Sequence, residues 1–317
     1  MNRINWGQLT YSETKSSFYS NDIYFREGYR DAKNALGPNF DYFLRSCALM
    51  VIKPDGVITG KLNPVLRYVR TQGFVVSIIN KFELIRFHWR ELWRYQLNAA
   101  SLERFAVADA CLTDKPALFM ILYDTTGGEI PATVRLTNLK GPSDPAGRDP
   151  GTLRSAIGQT NKVLSYVHVA DEPADMIREL GIILTRPQRL RMMACLGNPY
   201  WGSEDVLGLD LALRDHSFPK KRFSFVESFQ RVEEIVNLKV EAGERYQSEI
   251  AVRIRAALLA MRENRQFSLV GFMDDLEQFG LLCDPWDLAV LGAHLSPQDE
   301  PGATKLIGSA QGVRWRP

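Results

Sequence analysis

The stretch CALMVIKPDGV, Cys47–Val57, decides the fold. Its first six residues, Cys47–Ile52, are all apolar, and a run that short without polar alternation reads as a strand buried on both faces. Pro54 ends it, since proline has no N–H to give to a ladder. Downstream, KLNPVLRYVRTQ (61–72) places Leu62, Val65, Leu66 and Val69 on one helical face. FVVSIINKFEL (74–84) is a β-branched strand, the stretch from His88 to Leu112 is helical, and ALFMILYD (117–124) is a further buried strand. A short helical stretch and a Gly/Pro-rich loop, KGPSDPAGRDPGT (140–152), lead to a fourth strand over VLSYVHVAD (163–171). Pro173 then opens the helix PADMIRELGIIL in the first-turn position that proline favours. The resulting order, βαββαβ with extra helices, is the ferredoxin-like arrangement within an α/β class.

The flanks differ in character. Residues 1–46 are polar and aromatic, with Tyr11, Tyr19, Tyr24, Phe25, Tyr29, Tyr42 and Phe43, which suits an arm packed on the rest of the molecule. Residues 186–317 read as an all-helical C-terminal domain with a loose tail from Ser296. There, 226–264 is one long helix or two, and Asp284-Pro285 caps a short helix through Leu295.

Composition excludes several classes. The 317 residues carry 39 basic and 37 acidic side chains, so net charge exerts no general pull on nucleic acid or membranes. No apolar run approaches the roughly 20 residues of a membrane span, and the first 25 residues lack a leader pattern. A cytoplasmic protein is expected. Cys47, Cys111, Cys195 and Cys283 are too widely spaced for a metal knuckle and too few for a disulfide framework, so buried thiols are expected. Of the four histidines, His88 and His294 lie in helical stretches and His216 in a turn-rich one. His168 alone stands near a strand end before a helix start, where α/β proteins often place reactive groups.

VIKPDGV (51–57), Arg135, GPSDP (141–145), PGTLR (150–154) and VHVAD (167–171) follow one another in an order and spacing that resembles the nucleoside diphosphate kinase family, from Cys47 to Thr185. The resemblance implies a ping-pong phosphotransferase with that family's ferredoxin-like sandwich, using Mg2+ with ATP or another nucleoside triphosphate, and a homo-oligomer. His168 takes the place of the nucleophile and Glu179 that of the carboxylate orienting it. Lys53 takes the place of the family lysine at the phosphoryl and ribose, and Tyr95, with a one-residue shift, that of a tyrosine beside the nucleophile. Arg135 and Arg154 would clamp phosphates, with Ser143 in place of a phosphate-binding threonine. The departures fall on sugar and base recognition. Ser165 replaces an asparagine, Val169 and Ala170 replace a glycine and a serine, and the base-stacking phenylalanine aligns with Arg104 or, one residue on, Phe105. The stretch between Arg135 and Gly141 is two residues longer than the family's. An unusual acceptor is therefore expected; the other reading is a non-catalytic nucleotide sensor or scaffold.

Overall fold

The computed structural model describes residues 4–196, 220–240, 248–308 and Trp315; His216, read above as a turn-region histidine, lies outside them. Three helices come first: α1 (Glu13–Asn21), α2 (Ile23–Leu36) and α3 (Phe40–Ser46). The central part follows with β1 (Cys47–Ile52), α4 (Pro54–Ile58), α5 (Leu62–Thr71), β2 (Phe74–Leu84), α6 (Arg86–Leu92), α7 (Arg94–Leu97), α8 (Leu102–Leu112), β3 (Lys115–Asp124), α9 (Ala132–Lys140), α10 (Leu153–Ala156), β4 (Val167–Val169) and α11 (Pro173–Ile183). Then come α12 (Arg186–Leu196), α13 (Phe225–Val240), α14 (Glu249–Arg262), α15 (Leu269–Phe279) and α16 (Pro285–Leu295). The strands form one antiparallel sheet in the order β2-β3-β1-β4, the ferredoxin-like order, and further helices extend from it on both ends of the chain.

β1 separates two cores by parity. Ala48, Met50 and Ile52 point into one, against Leu62, Val65, Leu66 and Val69 of α5; Cys47, Leu49 and Val51 point into the other, with the remaining helices. Val167 and Val169 of β4 belong to the α5 side. His168, paired with Val51, is therefore directed to the opposite face, and Lys53 follows the same parity.

Two predicted elements change. The strand expected over 163–171 shortens to Val167–Val169, because the Asn161 side chain accepts from the Val163 and Leu164 amides and curls the chain beforehand. The helical stretch from His88 to Leu112 is broken into three, its last piece capped by Ser101, which accepts from the Arg104 amide. The 226–264 region is two helices, α13 and α14.

The N-terminal arm is helical. Ser12 and Asp22 cap α1 and α2 through the Lys15 and Phe25 amides. Glycine lets α2 meet α11 backbone to backbone: a Cβ on Gly28 would lie 2.4 Å from the Ile177 carbonyl oxygen, and one on Gly181 2.4 Å from that of Tyr24. α12 joins this group through Arg189, 2.8 Å from Asp31. The tail from Ser296, expected to be loose, is instead fastened through Ile307. Its backbone bonds Ala99, Ser101 and Tyr95, and Asp299 bridges to Ala100. Cys47 and Cys111 are buried as expected; Cys195 is exposed and Cys283 half-buried. Among the described residues, no helix is long and apolar enough to cross a membrane.

Candidate functional site

The site is built where β1 ends beside β4. Gly56 is needed there, since a Cβ would come within 2.6 Å of the Tyr166 carbonyl oxygen. The Tyr166 amide donates to Asp55 at 2.9 Å, and the Lys53 amide donates to the Tyr166 carbonyl at 2.9 Å. This lock holds Tyr166 at φ +59°, a left-handed conformation that costs a β-carbon residue energy, two positions before His168. Lys53 Nζ is buried 3.4 Å from Asp55 and 3.3 Å from the Val163 carbonyl.

His168 is held at both ring nitrogens. Nε2 lies 2.9 Å from Glu179 Oε2, and the Trp93 indole N–H donates to Nδ1 at 3.2 Å. An indole nitrogen can only donate, so Nδ1 carries a lone pair and the ring proton sits on Nε2, given to Glu179. The imidazole keeps 15% of its side-chain surface, against 6% for Glu179.

Glu179 is fixed because α11 is buried along its whole length between the sheet and α2. Its other charges are paired by the N-terminal arm. Lys15 sits 2.6 Å from both Glu172 and Asp175, Tyr19 donates to Asp175 at 2.7 Å, and Arg178 donates to Asp22 at 2.7 Å. Burial works against the Lys15 charge, but Asp175 and Glu172 outweigh it and raise its pKa.

Cations gather on the other side. Arg154 donates to the carbonyls of Gly141 at 2.8 Å and Val167 at 3.4 Å, the second adjacent to His168. Arg148 holds the loop through the carbonyls of Pro142, Ser143 and Gln159. Neither guanidinium has a carboxylate within ion-pair distance among the described residues. Burial, then the Arg148 charge, push the Arg154 pKa down to about 10. Lys140 is also lowered by burial, although Asp171 stands 3.2 Å away. Asp171 itself resists the upward pull of desolvation and is held low by Lys140, Lys15 and His168.

The structure thus joins His168 to Glu179 and sets Arg154 on the carbonyl of the preceding residue, with Lys53 buried at the end of β1, Ser165 buried before β4 and Ser143 on the loop that Arg148 and Arg154 tie down. Four expected residues lie elsewhere. Arg135 pairs with Asp124 at 3.0 Å and covers Phe74, which directs it away from His168 and Asp171. Thr137 and Lys140 occupy the Asp171-facing side of α9 instead. Tyr95 donates to Asp22 at 3.1 Å and lies over Arg178. Arg104 is taken by Asp299 at 2.6 Å, and Phe105 packs on Trp89 and Arg90. Trp93 was missed in the sequence; the only signal was its place two residues before Tyr95 at a helix break.

Comparison with known proteins shows what the central part is similar to. The sequence profile described as nucleoside diphosphate kinase matches residues 46–188. Thioredoxin domain-containing protein 6 of Mus musculus is 30% identical over 142 residues, covering 44% of this chain and 42% of that protein. The chain thus spans less than half of that relative. The nucleoside diphosphate kinase of Methanocorpusculum labreanum is 28% identical over 145 residues, 43% of this chain and 85% of that protein. Among solved structures, the nucleoside diphosphate kinase of Borrelia burgdorferi with vanadate and ADP aligns at 16% identity over 46% of this chain and 90% of its own, with a TM-score of 0.38.

Proposed function

We propose that residues 46–188, which match the nucleoside diphosphate kinase profile, are a nucleotide-binding kinase-like domain of that family, and that the protein is a phosphotransferase working through His168. The observation that carries the reading is the 2.9 Å contact of His168 Nε2 with Glu179, which leaves the lone pair on Nδ1. Nδ1 attacks the γ-phosphorus of a nucleoside triphosphate; the N–P bond forms as the bond to the bridging oxygen breaks, and the diphosphate departs with that electron pair. An acceptor phosphate oxygen then takes the phosphoryl from Nδ1, restoring the imidazole. Glu179 stabilises the positive charge that develops on the ring.

Arg154 and Lys53 meet the charge spread over the phosphoryl oxygens, and Ser143 and Ser165 offer hydroxyls to phosphate and sugar. With no carboxylate partner among the described residues, Arg154 and Arg148 are suited to an anionic ligand. Mg2+ would arrive on the triphosphate and neutralise charge there; Asp171 is already engaged by Lys140 and Glu179 by His168, which suits a metal held by phosphates. With Arg104 and Phe105 both committed to other partners, base stacking is not supplied from those positions, so acceptor diphosphates are taken up unevenly.

The decisive experiment incubates the protein with γ-labelled ATP. We expect acid-labile, base-stable label on the protein and none on folded His168→Ala. Undiminished labelling of that variant refutes the mechanism. The reading as a nucleotide sensor draws on one observation: Asp299 binds Arg104 on α8 and Lys162 at 3.7 Å, and Asn161 donates to the Ala293 carbonyl of α16, so C-terminal elements span the space between α8 and the loop before β4. Nucleotide binding without labelling would select it.

A further inference from the structure

We propose that Trp93 is a gate on the His168 nucleophile: its indole N–H occupies the Nδ1 lone pair at rest and must leave it before the phosphoryl can be attacked. The inference rests on the phosphotransferase reading, because only there does Nδ1 act. The two rings meet edge to face, with centroids 5.5 Å apart and planes at 82°, so the indole presents its N–H edge to the imidazole. The 3.2 Å hydrogen bond lies along the lone pair that an electrophile would need. Both cannot be served at once.

The backbone around Trp93 suits a side chain that moves. It is the junction residue between α6 and α7, at φ −108° and ψ +21°, outside either helix, and it is half-buried. A swing off Nδ1 therefore breaks no helix. The indole also selects the state it guards. As a pure donor it can bond only a lone-pair-bearing Nδ1, which is the atom that the reaction uses. Among the described residues, the groups around His168 are Glu179 from α11, Asp171 after β4, which is paired with Lys140 of α9, and Arg154, which donates to the carbonyl of the preceding residue Val167. Trp93 is thus a positioning residue: it occupies Nδ1 while the site is idle, and the arriving triphosphate displaces it.

The test compares the full chain with Trp93→Phe, which keeps a ring at the site and removes the donor. Nitrogen NMR of His168 reads the tautomer and the hydrogen bonding of each ring nitrogen without any turnover. In the variant we expect the Nδ1 resonance to move to that of an acceptor with no donor on it. Labelling from γ-labelled ATP should be about two- to tenfold faster. In the unmutated protein the Trp93 indole N–H resonance should shift when His168 becomes phosphorylated, a reading independent of the variant's folding. An unchanged Nδ1 resonance and equal labelling rates, with an indole signal that ignores phosphorylation, overturn the gate alone. Absence of label from both proteins overturns the phosphotransfer reading and the gate with it.

Discussion

Arg154 is a buried guanidinium whose partners are carbonyl oxygens, and burial with the neighbouring Arg148 lowers its pKa. The fold therefore disfavours its charged form relative to the unfolded chain at neutral pH. A bound phosphate reverses that penalty and so stabilises the folded state. We expect ADP to raise the thermal midpoint of the parent by several degrees and that of Arg154→Ala by much less. Labelling by γ-labelled ATP should fall about ten- to hundredfold in the variant, the usual loss of a charge-assisted contact. A variant labelled at the parent rate would move the phosphate site elsewhere. What the sequence made legible at this scale follows from parity and spacing. Lys53 continues the β1 alternation, His168 pairs with Val51, and Glu179, eleven residues after His168, returns to it from α11. Arg135 was misplaced because identity in a string says nothing of helical phase: it faces Asp124, while Thr137 and Lys140 of the same helix face Asp171. Trp93 was invisible because its role depends on a helix break that periodicity over 88–112 does not reveal.

At the scale of elements, the unexpected partnership is α2 with α11. The sequence read 1–46 as an aromatic arm, which is right about packing, but weak periodicity hid three helices whose caps and glycines do the organising. Gly28 and Gly181 let the two backbones touch, and that approach brings Lys15, Tyr19 and Asp22 onto Glu172, Asp175 and Arg178. α11 carries Glu179, so the arm sets the position of the carboxylate behind His168. A methyl on Gly181 must push the Tyr24 backbone away, and backbone cannot rotate aside as a side chain does. Gly181→Ala should therefore cost about 1–3 kcal/mol in denaturant unfolding. It should also slow labelling of His168, since Glu179 shifts with its helix. Unchanged stability and unchanged labelling would show that α2 and α11 separate without consequence.

At the scale of the whole molecule, the three stretches distinguished in the sequence share one core. Phe25 of the arm, Leu49 and Val107 of the central part, and Val232, Leu291 and Ile307 of the C-terminal part belong to a single continuous cluster of buried side chains. The sequence divided the chain by pattern, strands in the middle and helices outside, and pattern does not report which surfaces cover one another. The fastening of the tail to Tyr95, Ala99 and Ser101 was likewise hidden, because those bonds are made by backbone groups that any residue type carries. A shared core predicts shared unfolding. Gly292 offers a sharp probe, since its Cβ would lie 2.3 Å from Leu269 Cδ2 and 2.8 Å from Val107 Cγ2, at the seam between α16, α15 and α8. Gly292→Val overfills that seam and should cost about 1–3 kcal/mol. The informative quantity is the form of the transition rather than its size. If the core is one cooperative unit, calorimetry of the parent gives a single peak, and the variant moves that whole peak down while intrinsic tryptophan fluorescence and far-ultraviolet circular dichroism continue to coincide. If the C-terminal helices fold apart from the central sheet, the variant instead splits the trace, leaving an upper transition at the parent's temperature. That split would restore the independent helical domain that the sequence alone suggested.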